Sequence, residues 1–384
     1  MNSTNRLGSV DVFRGLTMLT MLFVNDCSEM PGIPHWMRHA DTFEDMLGFP
    51  DLVFPAFLFC VGMSAVLAMQ NRLSRGDDWR SILLHVIGRT VSLVAMGLYA
   101  MNLQPLLGMS KHMFELLFFV ACFLAFNVCP NKKVGRILQI AGWAMLIAGV
   151  VLCEIYGRPF RVGWWGILGL IGWTYFVCSM VFFLTKGSFY GILVAFFVVH
   201  LLGLFSHMNW IPAEAFSRVF LLNFVPADWE NHALGVSGML AVMLLLRYKD
   251  RPALLMGIMA GISLLFIAAG FGAHEFWIIS KNQSTPTWVY FCLAISFPMV
   301  GFFHYLIDVW QKGSWFRFIS PAWTHTLTCY LIPYALYPIM WMSGFAFPEL
   351  LSSGFGGMLR SLILAFVVIG IVAILRRRKI VLKV

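Results

Sequence analysis

The sequence predicts an all-α fold, a polytopic transmembrane bundle of about twelve spanning helices, and three observations predict it. Hydrophobic residues make up 60% of the 384-residue chain and charged residues only 12%. The apolar residues gather into runs long enough to cross a bilayer, and the cations gather in short intervals between those runs.

The composition comes first. A soluble globular domain carries about 25% charged residues, and 12% is too few to build a water-facing surface. The 36 Phe and 14 Trp suit lipid-facing surfaces and interfacial belts. The formal charge of +9 would point to nucleic acid in a soluble protein. Here the Lys and Arg occupy loops between apolar runs and form no basic patch interleaved with aromatics, so they read as topology signals and no nucleic-acid partner is expected. Eight cysteines lie mostly inside apolar segments without a CxxC or Cys/His metal spacing. They read as small apolar packers, and no metal is expected. The apolar stretch 16–24 has no small-residue cleavage site after it and reads as a retained helix.

A span needs about 20 apolar residues. That length places spans near 9–27, 51–71, 82–102, 112–129, 134–153, 164–184, 188–206, 233–247, 253–272, 287–309, 322–342 and 356–375. Arg6, the Arg72–Arg89 group, Lys132, Lys133 and Arg136, Lys186, the Arg247–Arg251 group, Lys312 and Arg317, and the Arg376–Lys383 tail then fall on one side. The positive-inside rule makes that side the cytoplasm, with both termini on it. Arg158 and Arg161 are exceptions. No internal repeat or low-complexity stretch interrupts the chain, so residues 1–384 read as a single membrane domain.

Most polar residues of chemical interest fall in loops on the opposite side, while Asp11 and Arg14 stand at the start of the first helix. Asp11 and Arg14 are three residues apart and can pair on one helix face. Asn25 and Asp26 stand at the outer end of the first helix, where polar groups line a cavity or pair. His39 follows in a loop, and Asp51 stands where the second helix begins, a position that also suits a helix cap. A histidine can take a proton from an amine or hydroxyl nucleophile, or carry an acyl group itself, so His39 is the candidate for catalysis. Lys281 and Asn282 can hold an acceptor or anchor the loop at the interface. His274-Glu275 and Glu230/His232 make no complete metal pattern.

The strings Ser9-Val10-Asp11-Val12-Phe13-Arg14-Gly15, Phe23-Val24-Asn25, His39-Ala40 and Asp51-Leu52-Val53-Phe54-Pro55 resemble, in order and spacing, the heparan-α-glucosaminide N-acetyltransferase family, and its bacterial branch above all. Weaker similarities run through Gly172–Phe176, Ser280–Asn282 with Thr287-Trp288, and the basic tail, leaving out about 105–160. The resemblance implies acetyl transfer from cytosolic acetyl-CoA, as co-substrate, to the amino group of a periplasmic glucosamine-type sugar. It implies a multi-pass protein of the bacterial inner membrane, and members of the family are often dimers. It makes His39 the catalytic histidine and Asn25 the asparagine that polarises the thioester carbonyl. Arg14 and Arg89 would form a basic mouth for the nucleotide, and Asp26, Asp51, Lys281 and Asn282 would meet the substrate. The sequence departs from the family where His-Ala-x-Trp-Asn-Gly is replaced by His-Ala-Asp-Thr-Phe-Glu-Asp, and near Leu170, where the family has an arginine. The family core has ten helices, so 112–153 resembles an inserted hairpin. Two other readings stay open: an O-acetyltransferase of a cell-envelope glycan, and a small-molecule transporter.

Overall fold

The computed structural model describes residues 7–105, 110–127, 131–156, 160–161, 165–208, 229–378, 380 and 382. Arg6, Cys129, Arg158, Asp228, Lys379 and Lys383 lie outside the described residues. The architecture is all-helical, with no strand among the described residues beyond an isolated bridge between Asn127 and Leu382.

The helices are α1 (Gly8–Cys27), α2 (Phe49–Ser74), α3 (Trp79–Met101), α4 (Lys111–Phe126), α5 (Lys132–Ile155), α6 (Gly166–Thr185), α7 (Phe189–His207), α8 (Trp229–Tyr248), α9 (Pro252–His274) and α10 (Pro286–Phe303). After a π-helical turn, His304–Val309, and a 3-10 segment, Lys312–Ile319, come α11 (Ser320–Thr324), α12 (Thr326–Leu331), α13 (Pro333–Met342) and α14 (Gly354–Arg377). Side chains close the helix starts where the sequence offers them. Ser110, Asn131, Ser188 and Thr285 accept main-chain N–H bonds at the heads of α4, α5, α7 and α10.

The described part of each expected span is largely helical. Among the described residues, nine helices are long and apolar enough to cross a membrane: α2, α3, α5 to α9, α10 continued to Val309, and α14. The other three expected spans differ from that pattern for visible reasons. Helix α1 carries Asp11, Arg14 and Asp26 within its 20 residues. Helix α4 has 16 residues, about 24 Å of helix against about 30 Å of hydrocarbon. The expected span 322–342 is α11, α12 and α13 in succession: His325 leaves helical geometry at φ −134° and ψ 49°, and Pro333 begins a new helix.

The chain folds as two compact units. The first comprises residues 1–17, 34–87 and 173–318, and the second 18–33, 88–172 and 319–384. In the first unit α8 packs on α2, α7 and α10, and α9 packs along α10. Helix α8 is the least apolar of the nine candidate spans and is buried along most of its length. Its neighbours shield it from lipid, so it can carry Glu230, Asn231 and His232. Its approach to α2 is close enough that a Cβ on Gly62 would collide with the Gly235 carbonyl, and one on Gly238 with that of Phe59. Small residues serve helix packing in membranes in this way. In the second unit α4 packs on α5 and α13, and α14 packs on α11 and α12.

Candidate active site

Two loops of the first unit build the site around His39. The loop before α2 returns as Arg38-His39-Ala40, and Gly48 makes the return possible. A Cβ on Gly48 would meet the Arg38 carbonyl oxygen and crowd the Asp51 carboxylate. Gly48 itself takes the N-cap position of α2, so Asp51 sits in the first turn and does not cap the helix end. Its carboxylate accepts from the Ala40 N–H at 3.0 Å through Oδ2, and its Oδ1 lies 2.6 Å from His39 Nδ1. The acid is thereby fixed to the loop that carries the histidine.

The loop between α9 and α10 supplies the rest. Lys281 Nζ lies 3.3 Å from Asp51 Oδ1 and 3.2 Å from His39 Nδ1. Asn282 donates its amide to the Ala40 carbonyl at 3.2 Å, and the Trp288 indole N–H donates to the Asp51 carbonyl at 3.1 Å. Asp45 extends the connection. It accepts from the Ile279 N–H at 2.8 Å and lies 2.7 Å from His274 Nε2. The Thr42 carbonyl accepts from Ser280 at 3.1 Å and from Gln283 at 2.6 Å.

Exposure separates the roles. The Asp51 side chain is 3% exposed and the His39 side chain 35%. Asp51 therefore acts on its neighbours, while His39 presents a face outward. A buried carboxylate at 2.6 Å draws the Nδ1 proton toward itself, which leaves Nε2 with the free lone pair. Lys281, 25% exposed, balances the Asp51 charge. Burial holds the Lys281 ammonium below the ordinary lysine value, and the Asp51 carboxylate opposes that shift. Among the described residues no group of three or more His, Cys, Asp or Glu is placed to hold a metal ion.

Of the other expected site residues, Arg14 belongs to the first unit and Arg89, Asp26 and Asn25 to the second. Arg14, in the first unit, donates to Asp11 at 2.8 Å and to Ser64 at 3.1 Å, so the Asp11–Arg14 pair forms as the spacing predicts. Arg89 is exposed on the second unit's part of α3. Asp26, also in the second unit, accepts from Tyr337 Oη and Ser361 Oγ, each at 2.6 Å, and from Arg360 at 3.1 Å. Its carboxylate is thus engaged in tying α1 to α13 and α14. Asn25, beside it in sequence, lines a cavity of about 320 Å³ together with Leu22, His112, Glu115, Pro333 and three tyrosines.

Sequence reading did not bring Lys281 to His39, because the two are 242 positions apart and nothing between them signals the pairing. It also passed over His112, Glu115, Tyr330, Tyr334 and Tyr337. Their signal was present: His112 and Glu115 are three apart, and the tyrosines recur at four and three, the spacing of a helix face, although Tyr330 lies on α12 and the other two on α13.

Residues 6–104 match the family described as heparan-alpha-glucosaminide N-acetyltransferase, catalytic. The mouse heparan-alpha-glucosaminide N-acetyltransferase is 36% identical over 108 residues, which are 28% of this chain and 16% of that protein. The human protein of the same name is 36% identical over 104 residues, 27% of this chain and 15% of that protein. The matched stretch thus spans about a sixth of the length of these relatives. The family match includes His39, Asp51, Asn25, Asp26, Arg14 and Arg89, and stops short of Lys281 and Asn282. Through residues 6–104 the chain is similar to the heparan-alpha-glucosaminide N-acetyltransferase family.

Proposed function

We propose that the protein is a membrane acetyltransferase that moves an acetyl group from cytosolic acetyl-CoA to the amino group of a periplasmic glucosamine-type sugar. The observation that carries the reading is the His39–Asp51 pair at 2.6 Å, lying within the segment that matches the family. His39 Nε2 takes a proton from the acceptor nitrogen as that nitrogen bonds to the thioester carbonyl carbon. The carbon–sulfur bond then breaks, and the CoA sulfur leaves with the proton that His39 returns. Asp51 positions the imidazole and stabilises its charged form, and Lys281 with Asn282 holds the loop. Asn25 is the proposed amide donor to the thioester carbonyl oxygen. Arg14 and Arg89 are proposed contacts for the CoA phosphates, as charge-assisted donors.

The test uses the purified full-length protein in proteoliposomes, labelled acetyl-CoA and a panel of amino sugars. Wild-type protein labels a glucosamine-type acceptor. His39→Ala lowers transfer by about 10²–10⁴-fold, the range of a lost general base. Asn25→Ala lowers it by about 10²–10³-fold, the range of a lost oxyanion donor. Near wild-type transfer by a folded His39→Ala protein rejects the catalytic assignment. Labelling of a hydroxyl acceptor alone replaces the substrate class, and solute movement without transfer replaces the enzyme with a transporter.

A further inference from the structure

Lys281 moves no proton and no acyl group in the reaction above, yet it stands against the reacting side chain. Its Nζ lies 3.2 Å from His39 Nδ1 and 3.3 Å from Asp51 Oδ1. The loop that carries it is fixed in place on both sides of Lys281. Ser280 donates to the Thr42 carbonyl at 3.1 Å, and Asn282 donates to the Ala40 carbonyl at 3.2 Å. The Lys281 carbonyl itself accepts from the Ser284 N–H at 3.0 Å. All of these residues belong to the first unit, so one compact body brings the amine to the histidine.

A primary amine beside a general base is the functional group that such a base activates. Exposed lysines escape acylation because they are charged and strongly hydrated. Lys281 is held differently. Its side chain is 25% exposed, and burial favours the neutral amine while the Asp51 carboxylate opposes that shift. Desolvated lysines serve as nucleophiles for this reason. Reach is no obstacle either. The stem has four flexible carbons, and the two nitrogens of His39 share one ring. Nζ therefore has only to swing from beside Nδ1 to beside Nε2. Lys249, just beyond the end of α8, is exposed and makes the natural comparison within the same chain.

We infer that Lys281 is an internal acetyl acceptor: when acetyl-CoA is present and no amine acceptor is in place, His39 directs the acetyl group onto Lys281 Nζ. The inference rests on the acetyltransferase reading for the identity of the donor. The Lys281 ammonium first gives one proton to solvent. Its nitrogen then bonds to the thioester carbonyl carbon as the carbon–sulfur bond breaks. A second proton leaves that nitrogen through His39 Nε2 and passes to the CoA sulfur. The products are acetyl-lysine, CoA and one proton, and nothing is oxidised or reduced. Acetylation removes the Lys281 charge. Asp51 is then left to His39 alone, which favours the charged imidazole and slows the return of its proton. A site that holds donor without acceptor thereby slows itself.

The test incubates the purified full-length protein in detergent with acetyl-CoA and no acceptor, and follows each lysine by peptide mass spectrometry. Lys281 gains an acetyl group about tenfold or more faster than Lys249, since only Lys281 has a general base beside it. Excess glucosamine suppresses the gain. His39→Ala and His39→Asn, each shown to be folded by gel filtration and melting temperature, lower it by about tenfold or more and leave Lys249 unaffected. Preincubation with acetyl-CoA slows later transfer by the wild-type protein. Lys281→Arg keeps a cation but offers no acetylatable amine, and it escapes that slowing. The inference is overturned if Lys281 is acetylated no faster than Lys249, or if both folded His39 variants acetylate it as fast as wild type does. The two readings fail separately. A labelled sugar with Lys281 untouched overturns the internal acceptor and leaves the acetyltransferase standing. Acetylated Lys281 with no sugar labelled keeps the internal acceptor and overturns the sugar as substrate.

Discussion

The neighbourhood of His39 and the cavity beside Asn25 are built on opposite plans. Around His39 the polar groups are pinned. Asp51, Lys281, Asn282 and the main chain of Ala40 hold one another at 2.6–3.3 Å. Around Asn25 the pinning falls on the adjacent residue, Asp26, which Tyr337, Ser361 and Arg360 fix. Asn25 itself faces open volume. A group that must transfer a proton needs one orientation and one tautomer, so its supports are dense. A surface that must receive a ligand needs room, so its supports lie behind it.

The sharpest way to break this comparison is to remove the charge that orients His39. Asp51→Asn substitutes an amide that can donate to Nδ1, which moves the imidazole proton to Nε2 and converts the base into a donor. We expect transfer to fall by up to about 10⁴-fold, the loss seen when a triad carboxylate is replaced in this way. Asp51→Asn also leaves the Lys281 ammonium facing a neutral group, so some instability is expected. The double variant Asp51→Asn/Lys281→Met removes that strain. Its melting temperature should recover, and its transfer should not. Recovery of both would make Asp51 a structural ion pair and nothing more.

Lys281 sharpens the same point with a smaller effect. Burial favours its neutral form, so folding is opposed while the amine is charged. The sign follows from that. Stability rises as pH climbs through the depressed folded value and levels off at the ordinary lysine value. The direct measurement is the pH dependence of Lys281 acylation by acetic anhydride, read by mass spectrometry. Its half-point should fall below that of free lysine. In Asp51→Asn it should fall further, because the carboxylate is the charge that resists the shift. Labelling of Lys281 in parallel with free lysine, at every pH, would contradict the buried pair.

The bundle was legible in the sequence because hydrophobic runs report membrane spans directly, and nine of the expected spans lie on described helices long and apolar enough to cross a membrane. Breaks within spans were less legible. His325 and Pro333 divide 322–342 into three helices, although the apolar run reads straight through. His39, Asp51 and Asn25 were singled out as individual residues, since their short motifs lie in one contiguous segment. What joins them to other parts of the chain was not. The contact of Lys281 with Asp51 bridges distant loops, and no periodicity encodes a loop-to-loop contact. Gly48 shows the same limit from the other side. Its need to be glycine comes from the Arg38 carbonyl, a neighbour that only the folded loop brings to it. The two compact units were equally hidden, because a hydropathy scan measures segments and not their grouping.

The smallest expected effect concerns Asp45, which tests whether the pinning around His39 fades with distance. Its carboxylate is held below the usual carboxylate range first by the Ile279 N–H, with His274 adding to the effect and slight burial opposing it. A depressed carboxylate stabilises the fold above its unfolded value of about 3.9. That contribution is lost as pH falls through the lower folded value. Asp45 and His274 are 41% and 38% exposed, so solvent screens the pair and its worth is within about 0–1 kcal/mol. Asp45→Asn should therefore shift the melting temperature by no more than a few degrees at neutral pH. The shift should shrink toward zero at the acid end, where the wild-type carboxylate is itself protonated. Transfer should stay within severalfold of wild type, because Asn282 and Lys281 still hold Ala40 and Asp51. A loss of transfer as large as that of Asp51→Asn would mean that the loop from 41 to 45 orients His39 as strongly as the buried carboxylate does. The separation between a pinned centre and a screened rim would then have to be redrawn.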